Sequence, residues 1–145
     1  FGARVVANDL AAVPTTGNAC LCSLEELLSR ADIVTLHMPY SEASKHLIGE
    51  AQLAKMKRGA LIVNTARGGL IDEVALESAL ANGHLAGAAL DTFEIEPYKG
   101  PLIGRPEAIL TAHMGSYAKE SRIQMEREAA ENALRGLVEC GAVSH

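Results

Sequence analysis

Five short apolar runs, separated by segments of helical period, most constrain what this chain can fold into. They are ARVVAND (3–9), DIVTLHM (32–38), GALIVNTA (59–66), LAGAALDTF (85–93) and AILTAH (108–113). Most are continuously apolar rather than alternating. Strands buried on both faces read that way, and parallel sheets are the usual cause. Between them, SLEELLSR (23–30) places Ser23 and Glu26 at capping-box spacing. GEAQLAKMKRG (49–59) ends in basic residues and a glycine, a helix stop. DEVALESALANGH (72–84) carries Val74, Leu76 and Leu80 and stops at Asn82-Gly83, and a charged helix is expected over 118–137. Alternating strand and helix predicts an α/β domain with a mostly parallel, doubly wound, Rossmann-like sheet. At 145 residues, one domain with a real core is expected.

Composition narrows the partners. Net charge is −5 and no basic run occurs, which argues against nucleic acid and anionic membrane. No apolar run reaches the roughly 18–20 residues of a membrane span, and no signal-peptide pattern is seen. Cys20 and Cys22 have no second pair to complete a metal site, so they read, with Cys140, as small apolar residues of a reducing cytoplasm.

In open α/β sheets, ligands bind at the carboxyl ends of the strands. Here those ends are Asp9, His37 to Pro39, Thr65 to Arg67, Asp91 and His113, and each carries a polar or ionisable group. Asp9 reads either as a turn residue or as an acceptor for the ribose hydroxyls of a dinucleotide. Arg67, followed by Gly68-Gly69, either grips a carboxylate bidentately or forms a structural ion pair with Glu96 or Asp72. Pro97 biases Glu96 towards extended backbone, and taken alone the acidic stretch reads first as a surface loop. His113 is a candidate proton donor or acceptor. A Glu beside such an imidazole fixes its tautomer and favours its protonated form. The other histidines, His46 among them, are assigned no proton chemistry. An Arg for a carboxylate, a His for a proton and a Glu to tune the His are the parts that 2-hydroxy acid dehydrogenation requires.

At these residues the chain resembles the NAD-binding domain of the D-isomer-specific 2-hydroxyacid dehydrogenases, most closely the D-3-phosphoglycerate dehydrogenase-like branch. NTARGGLIDE, GAALDTFEIEP and TAHMGS match the family's Asn-x-x-Arg-Gly, Asp-Val-Phe-x-x-Glu-Pro and Thr-Pro-His-Ile-Gly-Gly stretches in order and spacing. The resemblance implies an NAD-dependent oxidoreductase acting on a 2-hydroxy or 2-keto acid. His113 is then the proton donor or acceptor, Glu96 its partner and Arg67 the substrate-binding cation. Asp9 is implied to bind the adenosine ribose and Asp91 the nicotinamide carboxamide. Met38, Pro39, Thr65, Ala66, Arg67, His113, Gly115 and Ser116 are implied to line the cofactor. Ala112, Ser116 and Thr92 depart from the usual Pro, Gly and Val, and none removes a catalytic group.

FGARVVANDL resembles the second strand of that fold, and no Gly-x-Gly-x-x-Gly turn occurs anywhere in the chain. The expectation is therefore a partial NAD-binding domain over 1–145, without the first βα unit or the substrate domain. The sheet is expected to close by re-pairing of strands or by homodimerisation through an open edge. Two other classes remain open: a non-catalytic NAD-binding module of the corepressor type, and an inactive fragment.

Overall fold

Each of the five apolar runs contributes a strand, shorter than the run itself, in the computed structural model, which describes residues 2–11, 19–115 and 117–139. The chain divides into two units, Phe1–Ala112 and His113–His145.

In the first unit the strands are β1 (Val6–Ala7), β2 (Cys20–Leu21), β3 (Ile33–Leu36), β4 (Leu61–Asn64), β5 (Gly87–Leu90) and β6 (Ala108–Leu110). All pair in parallel, as the apolar runs imply. They form a four-stranded sheet in the order β3-β4-β5-β6 and a separate pair, β1-β2. β2 was not expected, because a two-residue strand leaves no periodic signal. The expected re-pairing is not seen among the described residues. Among the described residues β1 pairs only with β2, and β3 only with β4.

Three helices follow from local chemistry. The Ser23 hydroxyl accepts the Glu26 amide at 3.2 Å and starts α1 (Leu24–Arg30). The Glu26 carboxylate pairs with Arg30 one turn on. α2 (Glu50–Lys55) is shorter than its pattern and ends at Met56, whose backbone is extended. At the start of α3 (Glu73–Ala81), Asp72 accepts from the amides of both Val74 and Ala75 at 3.0 Å. Asn82 and the left-handed Gly83 end it as predicted.

The core lies between these helices and one face of the four-stranded sheet. Leu28, Leu53, Leu76 and Leu80 pack with Val34, Leu36, Ile62, Ala88 and Leu90 in one buried cluster. Each such large side chain contributes about 1.5–3 kcal/mol when fully buried. Burial on both faces, which the continuous runs suggest, is not complete in this unit. Ile33, Leu61 and Ile109 are 60%, 40% and 68% exposed. Their register partners show that they share the sheet face opposite the core. Val74 likewise lies outside the core, at the solvent face of α3.

The second unit consists of the turn after His113 and α4 (Lys119–Glu139). The Tyr117 amide donates to the Met114 carbonyl at 2.9 Å. α4 carries ion pairs one turn apart, Arg122–Glu126 and Arg127–Glu131. No helix of the described residues is long and apolar enough to cross a membrane.

Candidate active site

The sheet register aligns the strand ends. Leu36 pairs with Asn64, Asn64 with Leu90, and Leu90 with Leu110. The residues that follow (His37, Thr65, Asp91 and Thr111) therefore leave the sheet along one edge. Two backbone hydrogen bonds extend the ladder into that edge: the Asp91 amide to the Asn64 carbonyl, and the Thr111 amide to the Leu90 carbonyl, both at 3.0 Å.

Asn64 builds the turn that carries Arg67. It is fully buried, with its side-chain oxygen accepting the Ala66 amide at 3.0 Å and its Nδ2 donating to the Arg67 carbonyl at 2.8 Å. A buried amide with both ends satisfied holds its loop in one conformation. Arg67 then projects from the edge, exposed. Its Nη1 donates to the neighbouring Ala66 carbonyl at 2.6 Å. The alternative of a structural ion pair with Glu96 or Asp72 is not seen. Among the described residues no carboxylate forms an ion pair with Arg67, and Asp72 instead caps α3.

The glycines after Arg67 serve close approach. A Cβ on Gly68 would lie 1.9 Å from the Phe93 carbonyl carbon and 2.4 Å from the Glu94 nitrogen. Backbone therefore meets backbone between the Arg67 turn and the loop that carries Glu96. The φ at Arg67 is −147°, so no left-handed residue is needed there.

That loop, 91–98, is braced at both ends. Asp91 is 7% exposed and accepts from the Thr111 hydroxyl at 2.6 Å. Glu96 accepts from the Phe93 amide at 3.1 Å, and the Glu96–Pro97 peptide is cis. Phe93 and Tyr98 stack at 4.1 Å, and the Tyr98 hydroxyl accepts the Leu102 amide at 3.2 Å. Burial pushes the Tyr98 phenol up from its ordinary value. Glu96 lines a cavity of about 640 Å³ together with Phe93, Pro97, Tyr98, Ile103, Leu110, Thr111 and Ala112, and the lining is mainly apolar.

The remaining expected residues fall as follows. Asp9 is exposed at the end of β1 and its Oδ1 accepts the Ala11 amide at 2.8 Å, a turn contact. Met38 and Ala66 rest against the core, and Pro39 and Thr65 are exposed at the edge. His113 and Gly115 belong to the second unit, where His113 has a φ of 51°. That left-handed backbone is uncommon outside glycine, although His is among the residues that tolerate it best. Ser116 lies outside the described residues.

Three residues at this edge were not assigned a role from sequence. Asn64 and Thr111 are short polar residues closing apolar runs, and that position is the signal that could have found them. The third is His46. In sequence it lacks the Arg–Glu context of His113, yet its Nε2 lies 3.0 Å from the Glu94 Oε2. Forty-eight residues of sequence separate the two, so no local pattern reports the contact. Hydrogen bonds from His46, then from Lys45, hold the Glu94 carboxyl below its ordinary range.

Comparison with known proteins agrees with this layout. The sequence model of the D-isomer specific 2-hydroxyacid dehydrogenase, NAD binding domain, matches residues 1–115. D-3-phosphoglycerate dehydrogenase of Bacillus subtilis is 44% identical over 114 residues, covering 78% of this chain and 22% of that protein. The crystal structure of a glyoxylate reductase from Paecilomyes thermophila superposes with a TM-score of 0.88 at 39% identity, covering 95% of this chain and 43% of the other. The NAD-complexed form of a D-isomer specific 2-hydroxyacid dehydrogenase from Lactobacillus delbrueckii ssp. bulgaricus superposes with a TM-score of 0.85 at 33% identity. It is covered to 47%, and this chain to 97%. The chain thus spans between about a fifth and a half of the length of these relatives.

Proposed function

This chain belongs to the D-isomer specific 2-hydroxyacid dehydrogenase family, through its NAD-binding domain, and on that premise we propose that it is the nucleotide-binding part of an oxidoreductase interconverting 2-hydroxy and 2-keto acids. One observation carries the reading. The Arg67 turn and the Glu96 loop meet backbone to backbone at Gly68, on the carboxyl edge of the parallel sheet. A cation for the substrate's carboxylate and a protein carboxylate are thereby held beside the edge where such sheets bind ligands.

The groups at the edge suit a nicotinamide dinucleotide. Asp91 is a buried carboxylate able to accept from a carboxamide N–H. The Asp9 Oδ1 is occupied by its own turn, and Oδ2 serves as acceptor for the ribose hydroxyls. By the family resemblance, Met38, Pro39, Thr65, Ala66 and Gly115 are the residues that would line the cofactor. When bound, NAD donates or takes up the hydride. Arg67 binds the substrate carboxylate, its planar fork matching two oxygens at once. His113 moves the proton of the substrate's 2-oxygen, and Glu96 fixes the imidazole in the orientation that this transfer needs. The family resemblance is what supports the pairing. A reducing cytoplasm suits the free thiols Cys20 and Cys22, and a homodimer is the assembly that the family resemblance favours.

The test is NADH oxidation by the purified protein with glyoxylate, hydroxypyruvate and 3-phosphohydroxypyruvate. The His113→Asn variant should lose about 100- to 10,000-fold in kcat while keeping NADH affinity, and Arg67→Gln should raise KM for the keto acid. Full turnover in His113→Asn would sink the assignment. NADH binding without turnover of any 2-keto acid would favour the corepressor-type module, and no NADH binding an inactive fragment. Light scattering reads the dimer directly.

A further inference from the structure

We propose that His46 is a positioning residue that ties the Arg67 turn to the Glu96 loop and holds the two in register; this rests on the dehydrogenase reading above. His46 lies on neither loop, yet it reaches both. Its backbone amide donates to the Gly69 carbonyl at 2.8 Å, two residues past Arg67. Its Nε2 lies 3.0 Å from the Glu94 Oε2, two residues before Glu96. Its Nδ1 faces the Asp72 Oδ2 at 3.9 Å, the carboxylate whose other oxygen caps α3. One side chain and its own amide thus touch the turn, the loop and the helix that begins between them.

The backbone at His46 is arranged for this. Its φ is 50°, a conformation that is strained for a non-glycine residue and persists only where its surroundings hold it. The neighbouring segment supplies that hold. The Ile48 amide donates to the Leu70 carbonyl at 3.0 Å, and the Asp72 amide to the Ile48 carbonyl at 3.1 Å. The segment therefore runs as a short rung beside residues 69–72, with Ile48 fully buried.

Glu94 is the loop's handle. Its carboxylate takes His46 on one oxygen and Lys45 on the other, the latter at 3.2 Å. Its amide donates to the Glu73 Oε1 at 2.9 Å. The next residue towards the sheet is Phe93, whose amide donates to the Glu96 carboxylate. Loosening Glu94 therefore frees the Phe93 amide, and with it the carboxylate that orients the proton-transfer group. Two groups that must act on one small substrate tolerate little relative drift, since a misplacement of about 1 Å costs up to about 100-fold in rate.

The experiment uses the purified protein and three variants. His46→Gly keeps the left-handed backbone and deletes the side chain. His46→Asn also accepts that backbone but restores an amide donor. Glu94→Gln removes the acceptor charge. His46→Gly and Glu94→Gln should each lower kcat roughly 10- to 100-fold with NADH affinity unchanged. Their combination should cost no more than either alone, and His46→Asn should recover part of the loss. Amide exchange at Phe93 and Glu94 should quicken roughly tenfold in both single variants, as expected for a locally opened loop. Wild-type exchange rates in His46→Gly, or additive losses in the double variant, overturn the tie. Wild-type turnover with unaltered kinetics in His46→Gly overturns the positioning role alone. Absence of wild-type turnover sinks the dehydrogenase reading instead, and the exchange rates then decide the tie by themselves.

Discussion

Thr92 offers the sharpest test of the packing described here. It is 3% exposed, and its hydroxyl has no hydrogen-bond partner among the described residues. A buried hydroxyl left unpaired costs about 1–3 kcal/mol. Thr92→Val replaces that hydroxyl with a methyl group of nearly the same shape and should therefore stabilise the protein by about 2 kcal/mol. Urea denaturation followed by far-ultraviolet circular dichroism suits a chain without Trp. With a slope of about 2 kcal/mol per molar urea, the midpoint should rise by about 1 M at unchanged slope. Thr111→Val is the control of opposite sign. Its hydroxyl donates to the buried Asp91 at 2.6 Å, and loss of a hydrogen bond to a charged group costs about 1.5–3 kcal/mol. If the Thr92→Val midpoint is unchanged or lower, the hydroxyl is satisfied and the reasoning fails.

Two further outcomes follow from the same loops. Gly68→Ala drives a Cβ to 1.9 Å from the Phe93 backbone, whereas the nearest obstacle to Gly69→Ala is the Tyr40 ring at 2.6 Å, a side chain able to swing aside. Thermal unfolding should show Gly68→Ala destabilised by about 1–3 kcal/mol or more and Gly69→Ala by clearly less; equal effects would mean that the backbone contact is not tight. The folded-state Glu94 carboxyl sits below its ordinary value of 4.5 because of His46 and Lys45. Its contribution to stability is then complete above that value and is lost as pH falls through the folded one. Glu94→Gln should flatten the acid side of the stability curve in that window, and a wild-type acid limb in the variant would refute the linkage.

Much of the architecture was legible because it rests on local rules. Continuous apolar runs give parallel strands, the Ser23 and Asp72 oxygens start helices at the predicted places, and Asn82-Gly83 stops one. These signals survive translation into three dimensions because backbone hydrogen bonding and side-chain period are properties of a few consecutive residues. The two-residue β2, the short α2 and the one-sided burial of the sheet were not legible, since each depends on which distant surface is there to be covered.

The candidate site divides in the same way. Residue type and spacing were enough to single out Arg67, Asp91, Glu96 and His113, because strand ends and turn glycines mark themselves in sequence. Only the tertiary structure decided how Arg67 is presented, through a buried Asn64 that closes its turn from below. It also decided why Gly68 has no side chain, since the obstacle is a backbone 25 positions further along. His46 shows the limit most clearly. Its partners are a carbonyl at position 69 and carboxylates at 72 and 94. A sequence records which groups a residue carries. Which groups meet is settled by the register of parallel strands, whose crossovers bring distant loops to one edge.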